Sequence, residues 1–292
     1  MSKQTIFYSL AILCLFLFKS QNSFSQDAIS VRNRQIFDRY IEKMSLAKND
    51  SVNILLVKTA QYFIGKPYVA STLDINKDEK LVVNLEEFDC TTFVETCMAL
   101  TLTLKSDHPT YDAYCKILSK IRYRNGIIDG YTSRLHYVTD WIYNAESDNI
   151  LLNISEDIGG KKVSKEINFM SQHPQYYKNL QNDPFNLAKI KEIENVINKR
   201  GKYSFVPANR IFGATRSIND GNIIIFATSI GGLDYSHIGI AYRLDKSLHF
   251  IHASSRSKKV IIESKTLNEY CKTSKAFTGL TVLKLNEYHL DE

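Results

Sequence analysis

Residues 235–254 read YSHIGIAYRLDKSLHFIHAS, and their reading decides the fold. Two runs rich in Ile, Tyr, Phe and Ala flank the turn-like segment RLDKS, so the stretch is expected to fold back on itself as an antiparallel hairpin. His237 lies on the first run and His252 on the second. His249 precedes His252 by an odd number of positions, which sends the two side chains to opposite faces of a strand. Working outward, NIIIFAT (222–228), KVIIES (259–264) and GLTVLKL (279–285) are further short β-rich runs separated by Gly, Asp, Lys and Ser. The chain after Gly201 therefore reads as an antiparallel sheet.

Towards the N-terminus the period changes. Residues 31–65 show helical spacing, with Ile36, Tyr40 and Met44 on one stripe and Leu56, Ala60 and Phe63 on a second. GKPY (65–68) interrupts the pattern, and LVVNLEEF (81–88) reads as a short strand or an extended loop. From Cys90 the apolar positions Phe93, Val94, Cys97, Met98, Leu100 and Leu104 recur mostly at three and four, predicting a helix to about Leu104. Asp89 occupies the N-cap position, where its carboxylate can accept from the first free backbone N–H groups. Residues 105–200 are polar and largely helical in character: TYDAYCKILSKIRYR (110–124) and PFNLAKIKEIENVINKR (184–200) are amphipathic, while the aromatic and basic stretch 124–145 shows no clear period. Helices first and sheet second make an α+β plan. We expect one domain over 27–292 with an insertion at about 105–200.

The first 26 residues explain where such a chain would work. Lys3, an apolar run from about Ile6 to Phe18 and a small, polar exit to Gln26 have the layout of a secretory signal peptide, the apolar run being too short to span a bilayer. Its removal would leave an exported protein, periplasmic or secreted, with no stable membrane insertion; an uncleaved anchor is the alternative. The formal charge is +6, and Lys3 and Lys19 depart with the leader, so what remains is mildly basic. That is too weak for nucleic acid and suits an anionic envelope polymer. Cys14 also departs. Cys90, Cys97, Cys115 and Cys271 remain, enough for two disulfides in an oxidising compartment, but their spacing fits neither a small disulfide scaffold nor a paired CxxC zinc pattern.

A thiolate is the attacking species of a cysteine, and a helix N-terminus favours it because unpaired N–H groups and the dipole stabilise an anion. A neighbouring histidine can hold the proton, and a third polar group must orient that imidazole. Cys90 has the helix start; His237 would be the base and His252 its orienting partner. Each residue has an ordinary alternative: a core cysteine, as Cys97 on the same face would be, or a core histidine between Ile251 and Ala253. A zinc site from the same three residues is also conceivable, but a helix-start cysteine needs no metal to ionise and no second cysteine lies within CxxC reach. No metal and no cofactor are expected.

GKPYVAST (65–72), DCTTFVE (89–95), SHIGIAY (236–242) and FIHASS (250–255) resemble the signature blocks of the NlpC-like cell-wall cysteine peptidases. PYVASTL (67–73), RLHYVTDW (134–141) and GLDYSHIGI (232–240) resemble a more specific branch, the N-acetylmuramoyl-L-alanine amidase-like proteins. The resemblance implies a papain-like fold in which a helix-start cysteine packs on an antiparallel sheet. It makes Cys90 the nucleophile, forming a thioester, His237 the base and His252 the residue that orients it. Tyr68 would approach the cysteine and help bind substrate or the oxyanion beside the Cys90 N–H, with Asp89 and Ser236 at the same cleft. The substrate would be peptidoglycan or a muropeptide, cut between N-acetylmuramic acid and L-alanine. A γ-D-glutamyl-diamino-acid endopeptidase with the same triad is the runner-up, and a non-enzymic envelope-binding protein a third reading. In the insertion, Arg134, His136 and Trp141 offer a cation, a hydrogen-bonding ring and a ring face suited to a sugar with a lactyl-peptide, although a Trp packed on its own helix is the plainer reading. Two features depart from the pattern: Gly221-Asn222 stands where Gly-Asp is usual, and the segment between the two histidines is somewhat long.

Overall fold

Three isoleucines and a phenylalanine in succession (223–226) have β-branched and aromatic bulk with nothing polar to keep either face wet, so they belong in a sheet covered on both sides. The computed structural model, which describes residues 29–76 and 78–288, places them there. The leader expected over 1–26 lies outside the described residues. Residues 29–44 form helix α1 as far as described. The helices that follow are α2 (Val52–Tyr62), α3 (Cys90–Lys105), α4 (Tyr111–Arg122), α5 (Val138–Ser147), α6 (Phe169–Gln172), α7 (Pro184–Arg200), α8 (Ile211–Ala214) and α9 (Leu267–Cys271). The strands are β1 (Leu151–Asn153), β2 (Lys161–Val163), β3 (Tyr203–Pro207), β4 (Ile223–Thr228), β5 (Tyr235–Leu244), β6 (Ser247–Ser254), β7 (Lys259–Ile262) and β8 (Phe277–Leu285).

The strands make one sheet in the order β2-β3-β8-β4-β5-β6-β7, with β1 also on β8, and the pairs are antiparallel. The fold is thus α+β with an antiparallel sheet, and β1 and β2 show that residues 105–200 feed the sheet as well as supplying helices. Pleating divides the central strands between two cores. Ile223, Ile225, Ile238, Ile240 and Ile251 face the core that contains α2 and α3, through Leu55, Leu56 and Phe93 among others. Ile224, Phe226, Ala241, Phe250 and Val282 face a second core closed by Ile211 of α8 and Leu267 of α9. Each large side chain so buried contributes about 1.5–3 kcal/mol.

Helix α3 is enclosed on all sides, with residues 92–104 all buried. Its polar members are paired inside: Thr103 Oγ1 donates to the Ala99 carbonyl (2.7 Å), and Glu95 accepts from the Arg122 guanidinium (2.7 Å), which also reaches the Val82 carbonyl (2.6 Å). An enclosed, rigid helix gives its first residue a fixed position. The hairpin of β5 and β6 is equally well defined, since its turn residues Asp245 and Lys246 take left-handed φ values of 48° and 68°, the pairing turn that matches strand twist.

Two stretches left open by the sequence are placed by the structure. Residues 81–88 contain no strand; only Phe88 forms a bridge, with Tyr68. The unplaced stretch 124–145 contains most of α5, whose period was obscured because Asp140 and Asn144 are buried beside Trp141 and Ile142. Cys90, Cys97, Cys115 and Cys271 are all free thiols.

Candidate active site

Position begins with the cap. Asp89 Oδ1 accepts from the Thr92 backbone N–H (2.8 Å) while Thr92 Oγ1 accepts from the Asp89 N–H (3.0 Å), a reciprocal box that fixes where α3 starts. Asp89 therefore serves the helix, and Cys90 is its first residue. The Cys90 sulfur is met by the backbone N–H of Ile238, the residue after His237, so the thiol abuts the start of β5.

The strand side is shaped by a bulge. Phe226 pairs with His237 and Ala227 with Tyr235, leaving Ser236 as the extra residue on β5. Bulges re-aim neighbouring side chains. Here Ser236 turns outward, its hydroxyl donating to the Phe226 carbonyl (3.4 Å), and the His237 ring lies against Phe226 and Tyr270 at centroid distances of 5.6 and 6.2 Å. His237 Nε2 meets His252 Nδ1 at 2.6 Å, and His252 is 1% exposed. Using Nε2 leaves Nδ1 as the His237 nitrogen able to face a thiol. His249 points elsewhere, bonding the Glu263 carbonyl (2.9 Å), as strand alternation requires.

The charge states differ from those expected of a helix-start cysteine. Burial, aided by the Asp89 carboxylate, pushes the Cys90 thiol up to about 11, against the opposing effect of Thr91 and the backbone N–H groups of Ile238 and Cys90. Burial and the adjacent His252 ring push His237 down to about 3, with Glu263 opposing, and burial pushes His252 down to about 4. Each group taken alone is thus neutral, and the helix terminus does not outweigh desolvation.

Tyr68 reaches the same region through backbone pairing. Its N–H donates to the Lys258 carbonyl (3.0 Å), and Phe88 N–H donates to the Pro67 carbonyl (3.0 Å), so GKPY lies between the β7 end of the sheet and the residues leading into α3. Tyr68 is half-buried, its hydroxyl pKa raised by burial and then by Cys90 and Asp89. A cavity of about 540 Å³ borders the histidines, lined by Ser254, Arg256, Glu263, Lys265, Tyr270 and Ser274 among others. Among the described residues, no group of three or more His, Cys, Asp or Glu is arranged to hold a metal ion.

The insertion residues are placed otherwise. Arg134 is spent on Glu79 (3.0 and 2.9 Å) and Asp74 (3.0 Å), and only 8% of the residue is exposed. His136 Nε2 bonds the Tyr131 carbonyl (2.8 Å), and Trp141 is buried in the α2–α3 core at 2% exposure. Their charge and ring faces are engaged by the protein itself, which is why none of the three reaches the cleft. Sequence reasoning missed Glu263 and Tyr270. The only signal was an acid closing the apolar run KVIIES on the strand expected beside His252.

Fold and site together define the class: an α+β protein with a cysteine at a helix start and a pair of strand histidines in contact on its antiparallel sheet. Residues 58–280 match the AmiA-like, N-acetylmuramoyl-L-alanine amidase-like family, and the chain belongs to that family. It is similar to an N-acetylmuramoyl-L-alanine amidase of Bacteroides uniformis ATCC 8492, 38% identical with a TM-score of 0.74 over 79% of this chain and 98% of that one. A putative xylanase of Bacteroides fragilis is 36% identical with a TM-score of 0.73, over 78% of this chain and 100% of that one. A protein of Legionella pneumophila shares the fold at 20% identity and a TM-score of 0.71, over 90% of this chain and 98% of that one. No curated protein matches the chain significantly. The family and the amidase-named neighbour support a hydrolase of the peptidoglycan amidase type acting outside the cytoplasm. Among the described residues no helix is long and apolar enough to cross a membrane.

Proposed function

We propose that this protein is an exported, papain-like cysteine amidase that cleaves the bond between N-acetylmuramic acid and L-alanine in peptidoglycan or its muropeptide fragments. The observation that carries the reading is the 2.6 Å contact of His237 Nε2 with His252 Nδ1, with the Cys90 thiol influenced by the N–H of the next residue, Ile238, within an amidase-like family. As Cys90 Sγ attacks the lactyl carbonyl, its proton passes to His237 Nδ1. The imidazolium so formed is held by His252, and the oxyanion by the Cys90 N–H and the Tyr68 hydroxyl. Breaking the C–N bond returns that proton to the amino group of L-alanine and leaves a muramoyl thioester. Water, deprotonated by His237, then attacks the thioester and releases N-acetylmuramate with the thiol restored. Arg256 and Lys265 on the cavity wall supply cations for the carboxylates of a stem peptide. Turnover of a muramyl-peptide that disappears on alkylation of Cys90, and in Cys90→Ala with its circular dichroism unchanged, supports this reading; turnover that survives both contradicts it.

A further inference from the structure

His252 Nε2 is buried and has no hydrogen-bond partner, yet it lies 3.5 Å from Glu263 Oε2. The Glu263 carboxylate is anchored through its other oxygen, which accepts from the Lys265 N–H (3.1 Å) and the Ser264 hydroxyl (3.3 Å). Its backbone is pinned as well, the N–H donating to the Phe250 carbonyl (2.9 Å) and the carbonyl accepting from His249 (2.9 Å). A carboxylate held on one side thus presents its remaining oxygen to an otherwise orphaned ring nitrogen.

We infer that Glu263 is a positioning residue that selects the tautomer in which His237 can act as the base. The inference rests on the proposed role of His237. A neutral imidazole carries one N–H, and the contact between the two rings holds one proton. For Nδ1 of His237 to accept from the thiol, its N–H must sit on Nε2 and donate to His252 Nδ1. His252 must then carry its own proton on Nε2, and a carboxylate facing that atom favours this arrangement. The reverse arrangement sets the Nε2 lone pair against a carboxylate oxygen and puts a proton on the nitrogen that the thiol needs. When His237 becomes charged during attack, the same carboxylate, two groups away, stabilises it. Other charged or titratable groups facing the pair are Tyr270 on α9, Lys265 before it, Arg256 after β6, and Cys90 on α3.

The isosteric variant separates this role from packing. Glu263→Gln keeps the shape, but its amide can donate to His252 Nε2 and so favour the unproductive tautomer. We expect kcat/KM to fall about 100-fold in Glu263→Gln, at least as far as in Glu263→Ala, with the denaturation midpoint of the Gln variant close to wild type. Formate should restore part of the rate to Glu263→Ala, because the bordering cavity of about 540 Å³ admits it. A Gln variant that folds and keeps wild-type kcat/KM overturns the inference. Independent of any variant, 15N spectra of the wild-type histidines should show His237 and His252 both protonated on Nε2 at neutral pH; a His252 protonated on Nδ1 overturns it too. Unchanged turnover in His237→Ala would instead remove the reading beneath it.

Discussion

Two regions of the molecule each hold a half-buried thiol and a half-buried histidine. In the helical segment 105–200 these are Cys115 on α4 and His136 ahead of α5; at the sheet they are Cys90 on α3 and His237 on β5. Their charge states are nearly the same: burial pushes both thiols up to about 11, and both histidines down to about 3. The difference is in what the atoms meet. His136 Nε2 ends on a backbone carbonyl, with the Arg134 cation beside the ring opposing any further charge, so that nitrogen can only donate. His237 meets a second imidazole, which accepts or donates, and that ring faces a carboxylate. Perturbed titration marks burial in both places, whereas a chain of exchangeable partners marks only one as a site able to move a proton.

The largest expected effect would break the comparison outright. Cys90→Ala should abolish turnover, while Cys115→Ala should keep it within about twofold; activity that follows Cys115 reverses the assignment. Next, His237→Ala should lower kcat about 100- to 10,000-fold, the range of a lost general base, against little change in His136→Gln. Iodoacetamide should likewise label Cys90 faster than Cys115, and the excess should vanish in His237→Ala. His252→Gln should cost about tenfold, since an amide oxygen can still accept from His237 Nε2.

Other variants sharpen the contrast through stability. Trp141→Ala should cost about 3–5 kcal/mol by opening a core cavity, and Arg134→Ala about 3 kcal/mol by stranding the buried Glu79 carboxylate. Activity per folded molecule should be unchanged in both. A rise in KM at wild-type stability would return Arg134 to the substrate side.

The smallest effect is on pH. His136 and His237 have folded pKa values lowered from 6.5 to about 3, so only the unfolded chain takes up these protons between the two values. Their contribution to stability is full above about 6.5 and declines as pH falls towards 3. Denaturation midpoints measured from pH 7 to 4 should therefore drop less in His136→Gln than in wild type.

What was legible in the sequence was whatever local chemistry decides. Asp183, whose side chain accepts from the Asn186 N–H (2.9 Å), Pro184 in the first turn and Gly201 with φ 82° bound α7 where the pattern placed it. The Asp89 cap and the hairpin turn put Cys90 and the two histidines on the expected elements. The insertion misled because its residue types fit two accounts equally. Arg134 serves a sugar or Glu79 with the same guanidinium, and only a partner 55 positions away, as Glu79 is, decides between them. Glu263 lies close to His252 in sequence, just past β7, and its facing was hidden because it depends on the register of β6 against β7.

The central claim, a cysteine amidase acting at the sugar, is tested most directly by mass spectrometry of the products from a muramyl-tripeptide. The account predicts N-acetylmuramate and a free tripeptide with L-alanine at its new amino terminus, absent with Cys90→Ala. Muramyl-L-alanyl-D-glutamate with a released diamino acid would contradict it and make the protein an endopeptidase.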